Sequence, residues 1–167
     1  MLTDQDLSVS KEHLHIALSQ VKLGFWELEL DNLQLNCTVQ CKLNISGSSH
    51  EGLSYDDWLE AIFIDDRDRV LEAVREAIAS ETGGFYFQYR VKHTDGSLHW
   101  IEANGTVLYK VNVPYRMIGT TLDITDKKDL ELLKDELLSV ATHELKTPVS
   151  AVKGYLQILH RFIQSTG

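Results

Sequence analysis

The sequence predicts an α+β fold, in which a five-stranded antiparallel sheet with flanking helices is followed by one long C-terminal helix. Residues 83–109 alternate apolar and polar side chains around an Asp-Gly pair, a pattern typical of a β-hairpin. Residues 54–80 carry apolar side chains at helical spacing. After Thr125, about 40 residues of strong helix formers follow, with Pro148 and Gly154 as the main breakers.

The composition indicates a folded protein: 43% of the 167 residues are hydrophobic and 8% are aromatic. The net charge of -9 argues against nucleic acid and anionic membranes as partners, because both attract clustered Lys and Arg. No run reaches the roughly 18 apolar residues of a membrane span, and the N-terminus lacks the order of a signal peptide. We therefore expect a cytoplasmic location, with a parent protein that is soluble or is tethered through sequence outside this chain.

The first elements are a helix and a hairpin. Residues 1–21 predict an N-terminal amphipathic helix that ends before Gly24. The stretch FWELELDNLQLN predicts two short strands that turn at Asp31-Asn32. Residues 54–80 then predict two helices, with Asp65 or Asp66 as the N-cap of the second.

The later strands offer a candidate ligand pocket. Asp95-Gly96 predicts the turn between the third and fourth strands. In the third and last strands, one set of alternating residues is assigned to the inward face of the sheet. The residues of this face that could line a ligand pocket are Phe85, Phe87, Tyr89, Ile118 and Thr120. Aromatic residues at strand spacing more often form plain core, and this alternative stays open.

The two cysteines do not predict a metal or redox motif. Cys37 and Cys41 are four residues apart, which matches neither a zinc quartet nor a C-x-x-C pair. We expect small, buried or half-buried side chains there, and the sequence predicts no metal site.

The long helix carries a heptad seam that predicts a partner helix. Its apolar positions are Leu138, Ala141, Leu145, Pro148, Val152, Tyr155, Leu159 and Phe162. His143 then falls opposite the seam, so we expect an exposed imidazole. Glu144 is rotated from it by about 100 degrees and Thr147 lies one turn on, near the same face.

Two irregularities interrupt this helix. Pro148 has no N–H to donate to the carbonyl of Glu144, so we expect a bend there at a cost of about 3 kcal/mol. Upstream, the spacing of Leu130, Leu133 and Leu137 does not continue into the later seam, and such a stutter locally unwinds a coiled coil. The HELKT stretch is not a zinc-protease motif, because Thr147 occupies the place of the second histidine.

Residues 139–159, SVATHELKTPVSAVKGYLQIL, resemble the phosphoacceptor box of sensor histidine kinases. The resemblance implies that His143 is the phosphoacceptor, that Glu144 orients or deprotonates its imidazole, and that Thr147 positions water for phosphatase action. A neutral imidazole nitrogen can attack the γ-phosphoryl of ATP when a carboxylate stabilises the developing charge. Pro148 would bend the helix beside this site.

Residues 22–125 resemble a PAS domain, a sensor module, on four stretches: LGFWELELD, DDWLEAIFIDDRDRV, YRVKHTDGSLHWIEANG and GTTLDIT. Asp123 and Thr125 match the junction at which the last PAS strand meets a signalling helix, and the resemblance implies that they anchor it by hydrogen bonds. A simple helix cap is a compatible alternative and stays open. The domains are therefore 1–21, the N-terminal helix; 22–125, the PAS sensor domain; 126–138, the signalling helix; and 139–167, a truncated dimerisation and phosphoacceptor helix.

The combined resemblance implies the sensor and phosphoacceptor portion of a two-component histidine kinase. The implied partners are a second copy of the chain through the C-terminal helix, a response-regulator receiver domain and the kinase's own ATP-binding domain, which binds ATP and Mg²⁺. No nucleotide-binding motif occurs here, so we expect the chain alone not to phosphorylate itself. The alternative is a PAS and coiled-coil interaction module without catalysis, in which His143 is an ordinary surface residue.

No cofactor is predicted for this chain, and the signal for the PAS domain stays open. The family binds haem, flavin, small metabolites or nothing. The long helix at 65–80 has no histidine to ligate haem. The stretch NCTVQC begins like the cysteine box of covalent flavin sensors, but it follows the first strand too soon and lacks the rest.

Overall fold

The computed structural model describes residues 20–49, 52–80 and 83–165, with side chains described outside 147–152 and 155–165. Apart from its last two positions, the predicted helix at 1–21 lies outside the described residues. The chain divides after Thr125 into two compact units, and each is considered by itself.

Within its described residues, the first unit contains the predicted five-stranded antiparallel sheet together with three helices. Along the chain the elements are β1 Gly24–Glu29, β2 Leu35–Cys37, α1 Val39–Ser46, α2 Tyr55–Ala61, α3 Ile64–Ala79, β3 Gly84–Lys92, β4 Leu98–Lys110 and β5 Val113–Asp123. The order of the strands in the sheet is β2-β1-β5-β4-β3. The first and last strands of the unit therefore lie side by side, and the residue that leaves β5 stands near the middle of the sheet.

Two turns set the register of the long strands. Gly96 has a φ of 89°, and the His93 carbonyl accepts a hydrogen bond from its N–H at 2.9 Å, so the predicted Asp95-Gly96 turn joins β3 and β4. Val111 and Asn112 join β4 and β5 with φ values of 51° and 61°. Positive φ at both central residues is the signature of a type I′ hairpin.

The start of α3 differs from the prediction. Its N-cap is Phe63, which forms no side-chain cap, so neither Asp65 nor Asp66 caps the helix. Asp66 instead lies in the first turn, buried, with its carboxylate on Arg90 of β3. A charged partner on a neighbouring strand attracts the carboxylate more strongly than backbone N–H groups do.

The core fills the space between one face of the sheet and the helices. Its buried members include Val70 of α3, Tyr89 and Val91 of β3, and Ile101 of β4. On β5 the inward residues are Met117 and Thr121, which are buried, whereas Ile118 is 40% exposed. The predicted inward face of β5 is therefore wrong, because Ile118 and Thr120 alternate with the buried residues and lie on the outer face of the sheet.

The second unit contains the long helix α4, Thr125–Ser165. Exposed leucines among its described side chains include Leu130, Leu133, Leu137, Leu138 and Leu145. A row of exposed leucines on a helix is an apolar surface that association would bury.

Candidate functional site

His143 and Glu144 lie next to each other on α4 with both side chains in solvent. Their exposed fractions are 81% and 78%, and Nδ1 of His143 is 3.7 Å from Oε1 of Glu144. This separation suits attraction between charges but is longer than a hydrogen bond. Glu144 does not approach the other ring nitrogen, Nε2. A reactant can therefore reach Nε2 from solvent.

Thr147 and Pro148 also lie within α4, but their side chains are not among those described. The structure therefore brings His143 and Glu144 together, and the roles predicted for Thr147 and Pro148 stay predictions.

The first unit encloses an apolar cavity of about 60 Å³ between the sheet and the helices. Phe85, Phe87 and Tyr89 line it from β3, as the pocket hypothesis expects, together with Trp26, Tyr55 and Trp58. Trp58 donates its indole N–H to the hydroxyl of Tyr89 at 3.0 Å. Burial raises the pKa of Tyr89, so its hydroxyl stays protonated at neutral pH.

Aromatic rings occupy most of the space in which a ligand would lie. Trp26 and Phe85 stack with their ring centroids 5.9 Å apart, and Phe87 stacks on Phe85 at 5.3 Å. Small-molecule sites usually have volumes of roughly 300–1,000 Å³. The residues present therefore do not fit a haem or a flavin in this arrangement, because the rings would have to move aside first.

Ile118 and Thr120 do not reach this cavity. They line a shallow groove on the outer face of the sheet with Phe25 of β1 and with Asn104 and Thr106 of β4. The five predicted lining residues are therefore divided between the two faces of the sheet, with only Phe85 contributing to both concavities.

Asp123 and Thr125 are hydrogen-bonded to each other at the end of β5, and their role as a signal junction stays a prediction. Oδ1 of Asp123 accepts hydrogen bonds from the N–H of Thr125 at 2.9 Å and from its hydroxyl at 2.5 Å. The Thr125 hydroxyl oxygen in turn accepts from the N–H of Trp100 at 3.0 Å. Partial burial of Asp123 opposes ionisation, but the hydrogen bonds from Thr125 outweigh it and hold the pKa of Asp123 below its usual range.

Two histidines that sequence reasoning missed complete this junction. Nδ1 of His99 is 2.7 Å from Oδ2 of Asp123. The ring of His93 stacks on that of His99, with centroids 3.7 Å apart and planes inclined by 10°. The signal in the sequence is HTDGSLH, where a tight Asp-Gly turn folds the two flanking histidines onto neighbouring strands.

Donor atoms of His93, His99 and Asp123 lie within 4.8 Å of one another. The geometry does not suit a metal ion. The two imidazole planes are nearly parallel, so their in-plane lone pairs cannot converge on one point, and both nitrogens of His99 already have hydrogen-bond partners. The cluster is better described as a hydrogen-bonded group around Asp123.

Cys37 and Cys41 are close enough to interact, at the end of β2 and in the first turn of α1. The Cys41 thiol donates a hydrogen bond toward Cys37, and this lowers the pKa of Cys37 to about 7. The same interaction, together with burial, raises the pKa of Cys41. Cys37 is half-buried and Cys41 is buried, so Cys37 is the more accessible thiol of the pair.

The comparison with protein families agrees with this architecture. The family described as "PAS fold" matches residues 42–121. Residues 42–121 therefore have the PAS fold. The match covers most of α1, all of α2 and α3, strands β3 and β4, and most of β5, and β1 and β2 complete the same sheet.

Curated relatives of the chain include histidine kinases. A blue-light-activated histidine kinase of Brucella ovis is 23% identical over 144 residues, which cover 86% of this chain and 29% of the relative. The counterpart in Brucella anthropi is 20% identical over the same shares. The chain thus spans less than a third of these proteins, and the similarity confirms the predicted resemblance to PAS sensor histidine kinases.

Solved structures show the same fold. A sensory box histidine kinase/response regulator from Burkholderia thailandensis is 28% identical with a TM-score of 0.63, over 80% of this chain and 97% of the other. The N-terminal domain of a diguanylate cyclase with a PAS/PAC sensor from Marinobacter aquaeolei is 19% identical with a TM-score of 0.56, over 64% and 98%. Both structures thus share the fold of this chain.

Among the described residues, no helix combines the length and the apolar character needed to cross a membrane.

Proposed function

We propose that this chain is the sensor and phosphoacceptor portion of an ATP-dependent protein histidine kinase of a two-component system. In this function the PAS domain receives a signal and controls phosphorylation of His143, from which the phosphoryl group passes to an aspartate of a response-regulator receiver domain. One observation carries the proposal: the exposed pair of His143 and Glu144, within the HELKTP stretch of a helix that follows a PAS domain. The kinase relatives support it.

The chemistry follows from the two ring nitrogens of His143. Glu144 lies on the Nδ1 side at 3.7 Å, where its carboxylate stabilises the positive charge that develops on the ring. The lone pair of Nε2 attacks the γ-phosphorus of ATP, the bond to the bridging β–γ oxygen breaks, and ADP leaves with that electron pair. The ring then loses the Nδ1 proton to Glu144 or to solvent, which leaves a neutral phosphoimidazole.

Thr147 and Pro148 take supporting roles in the proposal. The Thr147 hydroxyl, one turn beyond His143, would position the water that hydrolyses the receiver's phosphoaspartate. Pro148 would bend α4 beside the reactive ring, because it deprives the carbonyl of Glu144 of its helical partner.

The exposed leucines support a homodimer as the working form. In a coiled coil or a four-helix bundle, Leu138 and Leu145 of one copy would pack against those of the second copy, and His143 would stay outside. ATP and Mg²⁺ would be bound by a separate domain of the parent protein, not by this chain. We place this portion in the cytoplasm, where ATP is available.

Phosphorylation of the full-length protein with γ-labelled ATP tests the proposal. We expect label that is stable in alkali and lost in acid, as for a phosphoimidazole, and we expect His143→Gln to abolish it. His160→Gln changes another histidine of the same helix and is the matched control that should keep the label. Label that persists in His143→Gln would assign phosphorylation to another residue and overturn the proposal.

The leucine row also favours a second candidate function, a PAS and coiled-coil module that only assembles partners. That module would dimerise, measured by sedimentation equilibrium, and would neither accept phosphate from ATP nor transfer it to any receiver domain. Dimerisation without acid-labile label in the full-length protein would therefore replace the first function with the second.

A further inference from the structure

The two cysteines of the chain lie in contact where the second strand leads into the first helix. Cys37 is the last residue of β2, and Cys41 lies in the first turn of α1. The N-cap Thr38 stands between them, and its side chain accepts a hydrogen bond from the N–H of Cys41 at 3.3 Å. The Cys41 thiol donates a hydrogen bond to the sulfur of Cys37, so the two sulfur atoms are direct neighbours.

The packing of α1 on the sheet holds this contact in place. Thr38 is tied to Phe25 of β1 by two hydrogen bonds, one from its own N–H at 2.9 Å and one to its side-chain oxygen at 3.0 Å. Gly24 has no side chain, and a Cβ there would clash with the backbone of Cys41. Cys41 belongs to the buried core cluster, and Cys37 packs against the same cluster. The thiol pair is therefore a feature of the fold and not only of the four-residue spacing.

The two thiols differ in access and in charge. Cys37 is half-buried and borders the shallow groove on the outer face of the sheet, whereas Cys41 is 2% exposed and lines the interior cavity. The hydrogen bond from Cys41, helped by the positive charge of Lys42, lowers the pKa of Cys37 to about 7. Contact with Cys37 and burial raise the pKa of Cys41. An accessible thiol that forms a thiolate thus lies beside a buried one that keeps its hydrogen.

The geometry points to Cys37 and Cys41 as an oxidation site, at which hydrogen peroxide converts the two thiols into a disulfide. The sulfur of Cys37 attacks one peroxide oxygen, the S–O bond forms, the O–O bond breaks, and the departing hydroxide takes a proton and leaves as water. Cys37 is then a sulfenic acid. The sulfur of Cys41 attacks that of Cys37, the S–S bond forms and the S–O bond breaks. The second hydroxide leaves as water with the proton of Cys41.

The contact between the thiols decides the product of this reaction. A sulfenic acid condenses readily with a neighbouring thiol, and Cys41 is already in contact with Cys37. Bonded sulfur atoms are about 2.05 Å apart, closer than hydrogen-bonded ones, so oxidation draws the sulfur of Cys41 toward β2. Trp26 pairs with Cys37 across the strands and lines the same cavity as Cys41, so its indole reports the change. In a reducing compartment such a disulfide is transient, as expected for a site that responds to oxidants.

Mass spectrometry of the wild-type 167-residue chain tests the inference. Trypsin cuts after Lys22 and Lys42, and the peptide of residues 23–42 contains both cysteines and no internal cleavage site. After treatment with hydrogen peroxide and then N-ethylmaleimide, we expect this peptide to lose two hydrogen atoms and to carry no maleimide. Dithiothreitol should restore two maleimide-reactive thiols. Two thiols that stay reactive after peroxide, or a disulfide that forms only between two chains, overturn the inference.

The unfolded chain is the control for the contribution of the fold. In urea, an ordinary cysteine with a pKa of about 8.5 is only about 3% thiolate at pH 7, and the contact between the thiols is lost. We therefore expect the folded chain to complete the disulfide several-fold faster than the unfolded chain at pH 7. Equal or slower oxidation of the folded chain would show that the contact does not promote the reaction, and would overturn the assignment.

Two substitutions separate the roles of the cysteines. In Cys41→Ser the sulfenic acid of Cys37 has no thiol to condense with, so we expect dimedone to capture far more of it than in the wild type. In Cys37→Ser only the buried Cys41 remains, and we expect little reaction with peroxide. Equal capture by dimedone in Cys41→Ser and the wild type contradicts the role of Cys41. If neither variant folds, the mass of the wild-type peptide decides.

This site goes beyond the proposed phosphoacceptor function and does not depend on it. The oxidation experiment contains no ATP, and the phosphorylation test is done on reduced protein. Absence of the disulfide with His143 still phosphorylated overturns the oxidation site alone. A disulfide without phosphorylation of His143 overturns the phosphoacceptor function and leaves the oxidation site.

Discussion

Asp66 of α3 holds Arg90 of β3 through three hydrogen bonds, two from the guanidinium at 2.8 and 2.9 Å and one from the backbone N–H at 2.8 Å. The guanidinium also lies over the ring of Phe63, 4.5 Å from its centroid. This contact ties the helix of the PAS domain to the edge strand of the sheet. The acidic first turn of α3 is thus used for tertiary contact as well as for the helix dipole.

Asp66→Asn should destabilise the first unit by about 2–3 kcal/mol, because an amide cannot replace a buried carboxylate that accepts from a guanidinium. The neighbouring substitution Asp65→Asn is the matched control, since Asp65 is exposed, and it should change the free energy of unfolding by less than about 0.5 kcal/mol. Urea unfolding followed by circular dichroism measures both. Equal losses in the two variants would show that the contact with Arg90 contributes nothing particular.

Acid should unfold the PAS domain through the same carboxylates. The hydrogen bonds from Arg90 lower the pKa of Asp66, and those from Thr125 outweigh burial to lower the pKa of Asp123. In the unfolded chain both titrate near about 3.9, so their stabilisation is complete above that pH and is lost as pH falls through the lower folded values. We expect the free energy of unfolding to fall below about pH 4, less steeply in Asp66→Asn; an unchanged slope would contradict this.

Gly119→Ala should be poorly tolerated. A Cβ on Gly119 would clash with the backbone oxygen of Asn104 and with the ring of Trp26. We expect a loss of about 1–3 kcal/mol in the free energy of unfolding, as for other overpacked sites. Gly52→Ala is the control, since no atom lies within 4 Å of the added Cβ, and its melting temperature should match that of the wild type. A melting temperature of Gly119→Ala equal to that of Gly52→Ala would contradict the clash.

Cys37 should react with iodoacetamide as a thiolate near neutral pH. The hydrogen bond from Cys41 lowers its pKa to about 7, so the alkylation rate should rise with a midpoint near pH 7. In Cys41→Ala the midpoint should move up toward that of an ordinary thiol, about 8.5, because the donor is gone. Mass spectrometry of the alkylated peptide measures the rate at each pH. A midpoint that does not change in Cys41→Ala would rule out the thiol pair as its cause.

An insertion in α4 should test whether the PAS domain acts through the helix. One residue inserted between Lys128 and Leu130 turns the rest of α4 by about 100 degrees, so the rate of His143 phosphorylation in the full-length protein should change. Seven inserted residues restore the heptad phase to within about 20 degrees and should keep the wild-type rate. If neither insertion changes the phosphorylation rate, the helix does not transmit the signal by rotation.

The sequence located the elements well where local chemistry is strong. Alternation from Phe85 to Val91, the Asp95-Gly96 pair and the helical spacing around Val70 depend only on neighbouring residues, and each element forms where it was predicted. Prediction failed where residues far apart compete. Asp66 was expected to cap its own helix, but its carboxylate instead accepts hydrogen bonds from Arg90, which lies 24 positions later in the sequence.

The face of β5 was assigned wrongly for a related reason. Two sets of residues alternate along β5, and the more apolar set is Ile118, Thr120 and Leu122. The core nevertheless lies on the side of the other set, which is Met117, Gly119 and Thr121. Gly119 is inward because it leaves room for the ring of Trp26. A residue without a side chain gives no apolar signal, although its absence is what the packing requires.

The sequence by itself determined the five strands, the two helices at 54–80 and the candidate phosphoacceptor at His143, because periodicity, turn residues and a contiguous motif are local properties. Only the tertiary structure decided the space available in the core and the group around Asp123. The first depends on how Trp26 and Phe85 stack across the sheet, and the second on a hairpin that brings His93 and His99 to the end of β5. Contacts between distant residues are set by strand register and packing, which no single stretch of the chain specifies.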